Sequence, residues 1–128
     1  KVRHFHTGID FTAPRGTEIY ATGDAKVVDV IMKKRGYGYH VILDHGYGYR
    51  TLYAHMSKFN VKRGQTVKRG DVIGFVGSTG TSTAPHLHYE VIKNGEKINP
   101  MNFFFNDLTP EEYEKVIELS SQSNQSFD

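Results

Sequence analysis

Before residue 108 this chain shows almost no helical repeat of apolar residues, and that limits its fold more than any other feature. β-Branched and aromatic runs alternate instead with Gly-rich turns. Strands are expected near Glu18–Ala21, Ala25–Lys33, Tyr39–Asp44, Tyr49–His55, Val72–Gly77 and His86–Lys93. The turns between them read "TGD", "KRGYG", "DHGYG", "KRGQ", "KRGD", "GSTGTSTAP" and "KNGE". Short strands punctuated in this way form an all-β sandwich or barrel. "GYGY" at Gly36–Tyr39 and Gly46–Tyr49, and "VKRG" at Val61–Gly64 and Val67–Gly70, are paired turns rather than a solenoid repeat.

The character changes at "LTPEEYEKVIE". Thr109 is a good N-cap and Pro110 suits the first helical position. Glu112 completes a capping box, and Leu108 and Tyr113 are spaced for a hydrophobic staple. Tyr113, Val116 and Ile117 form one apolar face. The expected organisation is therefore a β-domain over residues 1–106, with an appended helix and polar tail over 107–128.

A length of 128 residues suits one domain with a real core. With 38% hydrophobic and 23% charged residues the chain reads as a globular protein. A net charge of +2 is too small to argue for nucleic acid. There is no cysteine, which excludes disulfides and thiolate metal ligands. No apolar run approaches the roughly 18 residues of a membrane span, and the opening "KVRHFH" does not read as the apolar region of a signal peptide. A start so close to candidate site residues suggests a mature or excised fragment.

Seven histidines carry most of the chemical interest. In "PHLHYE", His86 and His88 are one residue apart within an expected strand. Residues i and i+2 of a strand share a face, so their Cα atoms should lie roughly 7 Å apart. In "HTGIDF", Gly8 and the following "TAP" argue against a helix, so an extended or turn segment must aim His6 and Asp10. Imidazole with carboxylate suits Zn²⁺, and a catalytic zinc site needs three protein ligands and an open position. His6, Asp10 and one of His86 or His88 would meet that need. The other strand histidine would stand beside the metal, where a general base or oxyanion stabiliser belongs. Taken alone, His6–Asp10 could equally be a surface residue and a turn cap.

By strand alternation Thr51, Tyr53 and His55 share one face, and Leu52, Ala54 and Met56 the other. His55 alone reads as a strand-end residue, or as a second acid–base group if a metal lies nearby. His40 and His45 read as structural, and His4 as a lesser competitor of His6. HExxH is absent, "GFVGSTG" lacks the lysine of a phosphate loop, and Ser78 is not in a G-x-S-x-G elbow. Five tyrosines from Tyr37 to Tyr53 could rim a groove, though cross-strand pairing explains most of them.

"FHTGIDFTAPRGTEIYA", "LYAHMS", "VKRGDVIGFVGSTGTSTAPHLHYEV" and "INP" together resemble the lysostaphin-like zinc metallo-endopeptidases, from about Phe5 to Phe105. The resemblance implies a β-sheet groove of the duplicated hybrid motif type and one Zn²⁺ per chain. It implies hydrolysis of peptide cross-links or stem peptides of bacterial peptidoglycan, in the periplasm or outside the cell. By motif, His6, Asp10 and His88 match the zinc ligands, while His55 and His86 match catalytic histidines outside the metal shell. In that family zinc polarises the scissile carbonyl and activates water. One departure is that only five residues precede His6, where the family usually has a further strand and an Arg/His/Pro-containing segment. The departure bears on one groove wall and not on the ligands, and it makes an upstream or separate regulatory segment a candidate partner.

Two other readings stand beside this one. A non-catalytic zinc-containing wall-binding or regulatory module would not need His55 and His86. "VKRGDVIG" also looks like a phrase of biotinyl and lipoyl carrier domains, with "IMKK" at Ile31–Lys34 as the faint candidate for a modified lysine; that reading leaves the histidines unexplained.

Overall fold

A computed structural model describes residues 2–5, 7–100 and 109–117, the His4 side chain excepted. The described strands are β1 (Val2–Phe5), β2 (Gly8–Thr12), β3 (Glu18–Tyr20), β4 (Ala25–Ile31), β5 (Tyr39–Gly46), β6 (Tyr49–Phe59), β7 (Thr66–Val67), β8 (Val72–Val76), β9 (His86–Lys93) and β10 (Glu96–Ile98). One helix, α1, spans 110–117. All strand pairs are antiparallel, in the order β1-β2-β9-β6-β5-β4-β7, with β10 on β9 and β3 joined through β8 to β6.

The expected strands are present, with β4 stopping at Ile31 and β6 running on to Phe59. The sequence did not mark β1, β2, β7 or β10. β2 falls on the segment around Gly8 that the sequence leaves as extended or turn; its Ile9 and Phe11 alternate inward and are fully buried.

β6 organises the sheet. Its first half, Tyr49 to Ala54, pairs with β9; its second half, from Met56, pairs with β8. The change of partner falls at His55, where β6 carries an extra residue against β5: Val41 faces Tyr53, but Tyr39 faces Met56. The core lies on the face shared by the paired residues Ile9, Tyr89 and Tyr53 and by Phe11 and Leu87, joined by Met56, Ile73 and Val76. Within it, the Tyr53 hydroxyl bonds Thr22 and Thr51, and the Tyr89 hydroxyl bonds Thr22. A buried hydroxyl left unpaired would cost about 1–3 kcal/mol, so these threonines are what allow tyrosines to fill the core.

The expected capping box forms: the Thr109 N–H donates to Glu112 Oε1 at 2.9 Å, and the Glu112 N–H donates to Thr109 Oγ1 at 3.1 Å. Leu108, the other half of the expected staple, lies outside the described residues. α1 is more than a surface attachment. Tyr113 and Ile117 belong to the main core, 3% and 0% exposed. The Tyr113 ring meets Phe11 edge-on at 5.2 Å, and its hydroxyl donates to the Tyr20 carbonyl at 2.6 Å. Among the described residues, no helix is long and apolar enough to cross a membrane.

Candidate active site

β9 presents His86, His88 and Glu90 on one face because side chains alternate along a strand. β2 lies against it with Asp10 opposite His88 and Thr12 opposite His86. That register brings together residues 78 apart in the chain: His88 Nδ1 lies 2.7 Å from Asp10 Oδ1. His86 Nε2 is 3.8 Å from the same oxygen.

Glycine at position 8 is needed for this approach. A Cβ there would stand 2.6 Å from His88 Cε1 and 3.0 Å from its Nε2.

His55 arrives by a different route. Its alternation partner Tyr53 points into the core, and Ala54 pairs with His88 on the site face. Regular alternation would therefore bury His55 beside Tyr53. Instead its φ is +63°, a left-handed conformation that few non-glycine residues adopt, and the bulge turns its ring to the site. The expected shared face of Thr51, Tyr53 and His55 is broken here, and Met56 falls on the core side with Tyr53. The His55 ring centre lies 4.8 Å from that of His86 and 6.2 Å from that of His88.

Two loops hold this turn. The His55 N–H donates to the Tyr37 carbonyl at 2.8 Å, and its Nδ1–H donates to the Thr79 carbonyl at 2.7 Å. The loops bind each other: Thr81 N–H donates to the Gly36 carbonyl, and Gly36 N–H to Thr81 Oγ1, both at 2.9 Å. Gly38 and Gly80 pass so closely that neither has room for a Cβ. The "GSTGTSTAP" loop thus supports the site through both its backbone and its threonine hydroxyls.

Together these residues line an open cleft of about 360 Å³, with Asp10, His55, His86 and His88 on its floor and Gly36, Tyr37 and Thr81 at its wall. Of the five tyrosines considered for a groove, Tyr37 lines this cleft; Tyr53 is buried and Tyr47 is 94% exposed. His40 is buried, its Nδ1 2.9 Å from the Gly38 carbonyl. His45 bridges the Asp24 carbonyl and Thr51 Oγ1, away from the cleft. Neither lines the cleft.

The charges are strongly coupled. His88 lies between two carboxylates, with Nε2 at 2.8 Å from Glu90 Oε2. Burial disfavours its charged form, but the hydrogen bonds and charges of Asp10 and Glu90 prevail, and its pKa is pushed up to about 9. Burial would raise the Asp10 and Glu90 carboxyls, but their hydrogen bonds with His88 bring both below the usual range. His55 is shifted down, first by burial and then by the neighbouring imidazoles, against the pull of the Thr79 carbonyl.

A divalent metal fits this donor set. Asp10 Oδ1 and His88 Nδ1 converge at the cleft floor, and the negative surroundings that retain a proton on His88 would equally favour a cation there. The other nitrogen of His88 is held by a carboxylate, one of the partners, with backbone carbonyls and water, that metal-bound histidines take there. His6, the remaining expected ligand, lies outside the described residues, and among the described residues no three such side chains form a complete metal cluster.

Sequence reasoning had passed over Glu90 and underweighted Tyr37. The signal for Glu90 was in view, since the period that aligns His86 with His88 continues to position 90.

Known proteins share this sequence and this fold. The sequence model of peptidase family M23 matches residues 4–100. The chain is 52% identical over 97 residues to the DD-carboxypeptidase/endopeptidase Mpg of Neisseria meningitidis serogroup B, a match covering 76% of this chain and 22% of that protein. It thus spans about a fifth of the length of that relative. The catalytic domain of lysostaphin from Staphylococcus simulans superposes with a TM-score of 0.72 at 40% identity, covering 78% of this chain and 79% of that one. A zinc-containing peptidase from Vibrio cholerae gives a TM-score of 0.72 at 41% identity, covering 76% and 30%.

Proposed function

The chain belongs to peptidase family M23, and from that premise we propose that it is a zinc-dependent endopeptidase acting on the peptides of bacterial peptidoglycan, in the periplasm or outside the cell. The observation that carries this reading is the meeting of Asp10 and His88 at 2.7 Å, with the His55 and His86 rings beside them in an open cleft. Asp10 and His88 would hold the metal together with His6. When bound, the zinc supplies a Lewis acid and lowers the pKa of water.

His55 donates its Nδ1–H to the Thr79 carbonyl at 2.7 Å, and His86 directs its Nδ1 at the Ala84 carbonyl, 2.9 Å away, and at Ser82 Oγ, 3.1 Å away. Each therefore keeps Nε2 for the reaction. One Nε2 takes the proton of the attacking water and returns it to the leaving amine; the other, protonated, donates to the oxygen that gains charge as the carbonyl is attacked. Because Thr79 and Ala84 fix both rings, little reorganisation is needed when the peptide arrives.

The relative at 52% identity is named for DD-carboxypeptidase and endopeptidase action, so cross-links containing D-amino acids are the first substrates to examine. The test is metal content followed by digestion of purified cell walls, with products separated by mass. A chain that binds zinc and releases cross-linked peptides as their uncross-linked halves meets the expectation. A zinc-loaded chain that binds walls without cleaving them would support the wall-binding reading instead.

A further inference from the structure

Glu90 is 3% exposed, on the same face of β9 as His86 and His88. A carboxylate is rarely buried unless its oxygens are paired, and those of Glu90 are. Oε2 lies 2.8 Å from His88 Nε2. The Tyr37 hydroxyl stands 2.8 Å from each oxygen, and Lys97 Nζ lies 3.6 Å from Oε1. The Tyr37 ring also lies almost parallel to that of His88, 6.1 Å away and tilted by 18°. The His88 ring is thus held at its far nitrogen and along one face, leaving Nδ1 directed at Asp10.

We infer that Glu90 is a positioning residue for the metal: its carboxylate, steadied by Tyr37 and Lys97, fixes the orientation and tautomer of His88 so that Nδ1 presents its lone pair to the cation beside Asp10. This inference rests on the zinc reading above. A hydrogen bond from the outer nitrogen to a carboxylate makes imidazole a more basic ligand. Tyr37 then has two roles, because its backbone carbonyl also receives the His55 N–H at 2.8 Å. One residue of the β4–β5 loop braces both the metal-binding and the proton-handling sides of the cleft.

The test compares zinc affinity, by competition with a chromophoric chelator, in wild type, E90A, E90Q and Y37F. The unfolding midpoint of each metal-free protein is measured alongside. E90A should bind zinc roughly ten- to a hundredfold more weakly, the usual effect of removing such a partner. E90Q retains a carbonyl for the His88 Nε2–H and should recover part of that loss. Y37F leaves Glu90 and His88 in place and should show a smaller loss in the same direction. If E90A does not fold, E90Q and Y37F decide. A purely structural Glu90 would lower the metal-free midpoint while leaving zinc affinity within about twofold of wild type, and that result overturns the inference. A wild-type chain that binds no zinc would instead overturn the metal reading itself.

Discussion

The imidazoles of His55 and His86 stand 4.8 Å apart, although regular alternation along β6 would place His55 on the opposite face of the sheet. The left-handed backbone at His55 brings them together, and a strained conformation of this kind costs about 1–3 kcal/mol and persists only where its surroundings enforce it. The Tyr37 and Thr79 carbonyls supply that enforcement.

If the paired rings handle protons without holding the metal, His55→Ala and His86→Ala should each retain zinc at wild-type stoichiometry. Cell-wall hydrolysis should fall roughly a hundredfold or more, the range for losing an acid–base group or an oxyanion donor. Zinc content and turnover are to be measured on the same preparations. A His86→Ala protein without zinc would exchange the roles given to His86 and His88.

If Asp10 and His88 hold the zinc as proposed, His88→Ala and Asp10→Asn should lose metal as well as activity, because each would remove a ligand from a site that needs three. His45→Ala is the control and should keep both, since His45 bonds Asp24 and Thr51 away from the cleft. Zinc retained by purified His88→Ala at wild-type affinity would refute this ligand assignment.

Gly8→Ala should weaken zinc binding while leaving the sheet intact. The added methyl meets the His88 ring at 2.6 Å, and a side chain yields more readily than the backbone around it. Chelator competition and far-ultraviolet circular dichroism together check this. Unchanged affinity would mean that the His88 ring can move aside without loss.

Removing the α1 anchor should cost more than the modest loss expected of a surface appendage. Tyr113→Ala deletes a fully packed ring and its bond to Tyr20, so a loss of roughly 3–5 kcal/mol is expected from urea unfolding. Truncation after Asn106 should lower stability at least as far. A loss below about 1 kcal/mol would return the helix to the role of an appendage.

His45 predicts a pH dependence in metal-free protein. Burial lowers its folded pKa below the ordinary 6.5, outweighing the Asp24 carbonyl and the Asp44 charge. The unfolded chain therefore takes up the proton first. The stability this group contributes is present above about pH 6.5 and declines as pH falls towards the folded pKa. The stability difference between wild type and His45→Gln, followed by thermal unfolding with chelator present, should shrink on acidification across that window. A difference independent of pH would mean that His45 titrates alike in both states.

The sequence by itself determined what depends on neighbours along the chain. Period-two alternation aligned His86 with His88, Gly-rich turns marked most strands, and Thr109 with Glu112 announced the start of the helix. Each of these follows from the backbone geometry of a few consecutive residues, which composition and spacing report directly. Tertiary structure decided the rest. Asp10 meets His88 only because β2 pairs with β9 in that register, and a shift by one residue would turn Asp10 to the other face. His55 reaches the cleft only because β6 changes partner from β9 to β8, and the accommodating bulge reverses its side chain. Tyr37 braces the site through contacts with residues 18 and 53 positions away. Such relationships arise from hydrogen bonds and packing between distant segments, for which local sequence pattern carries no register.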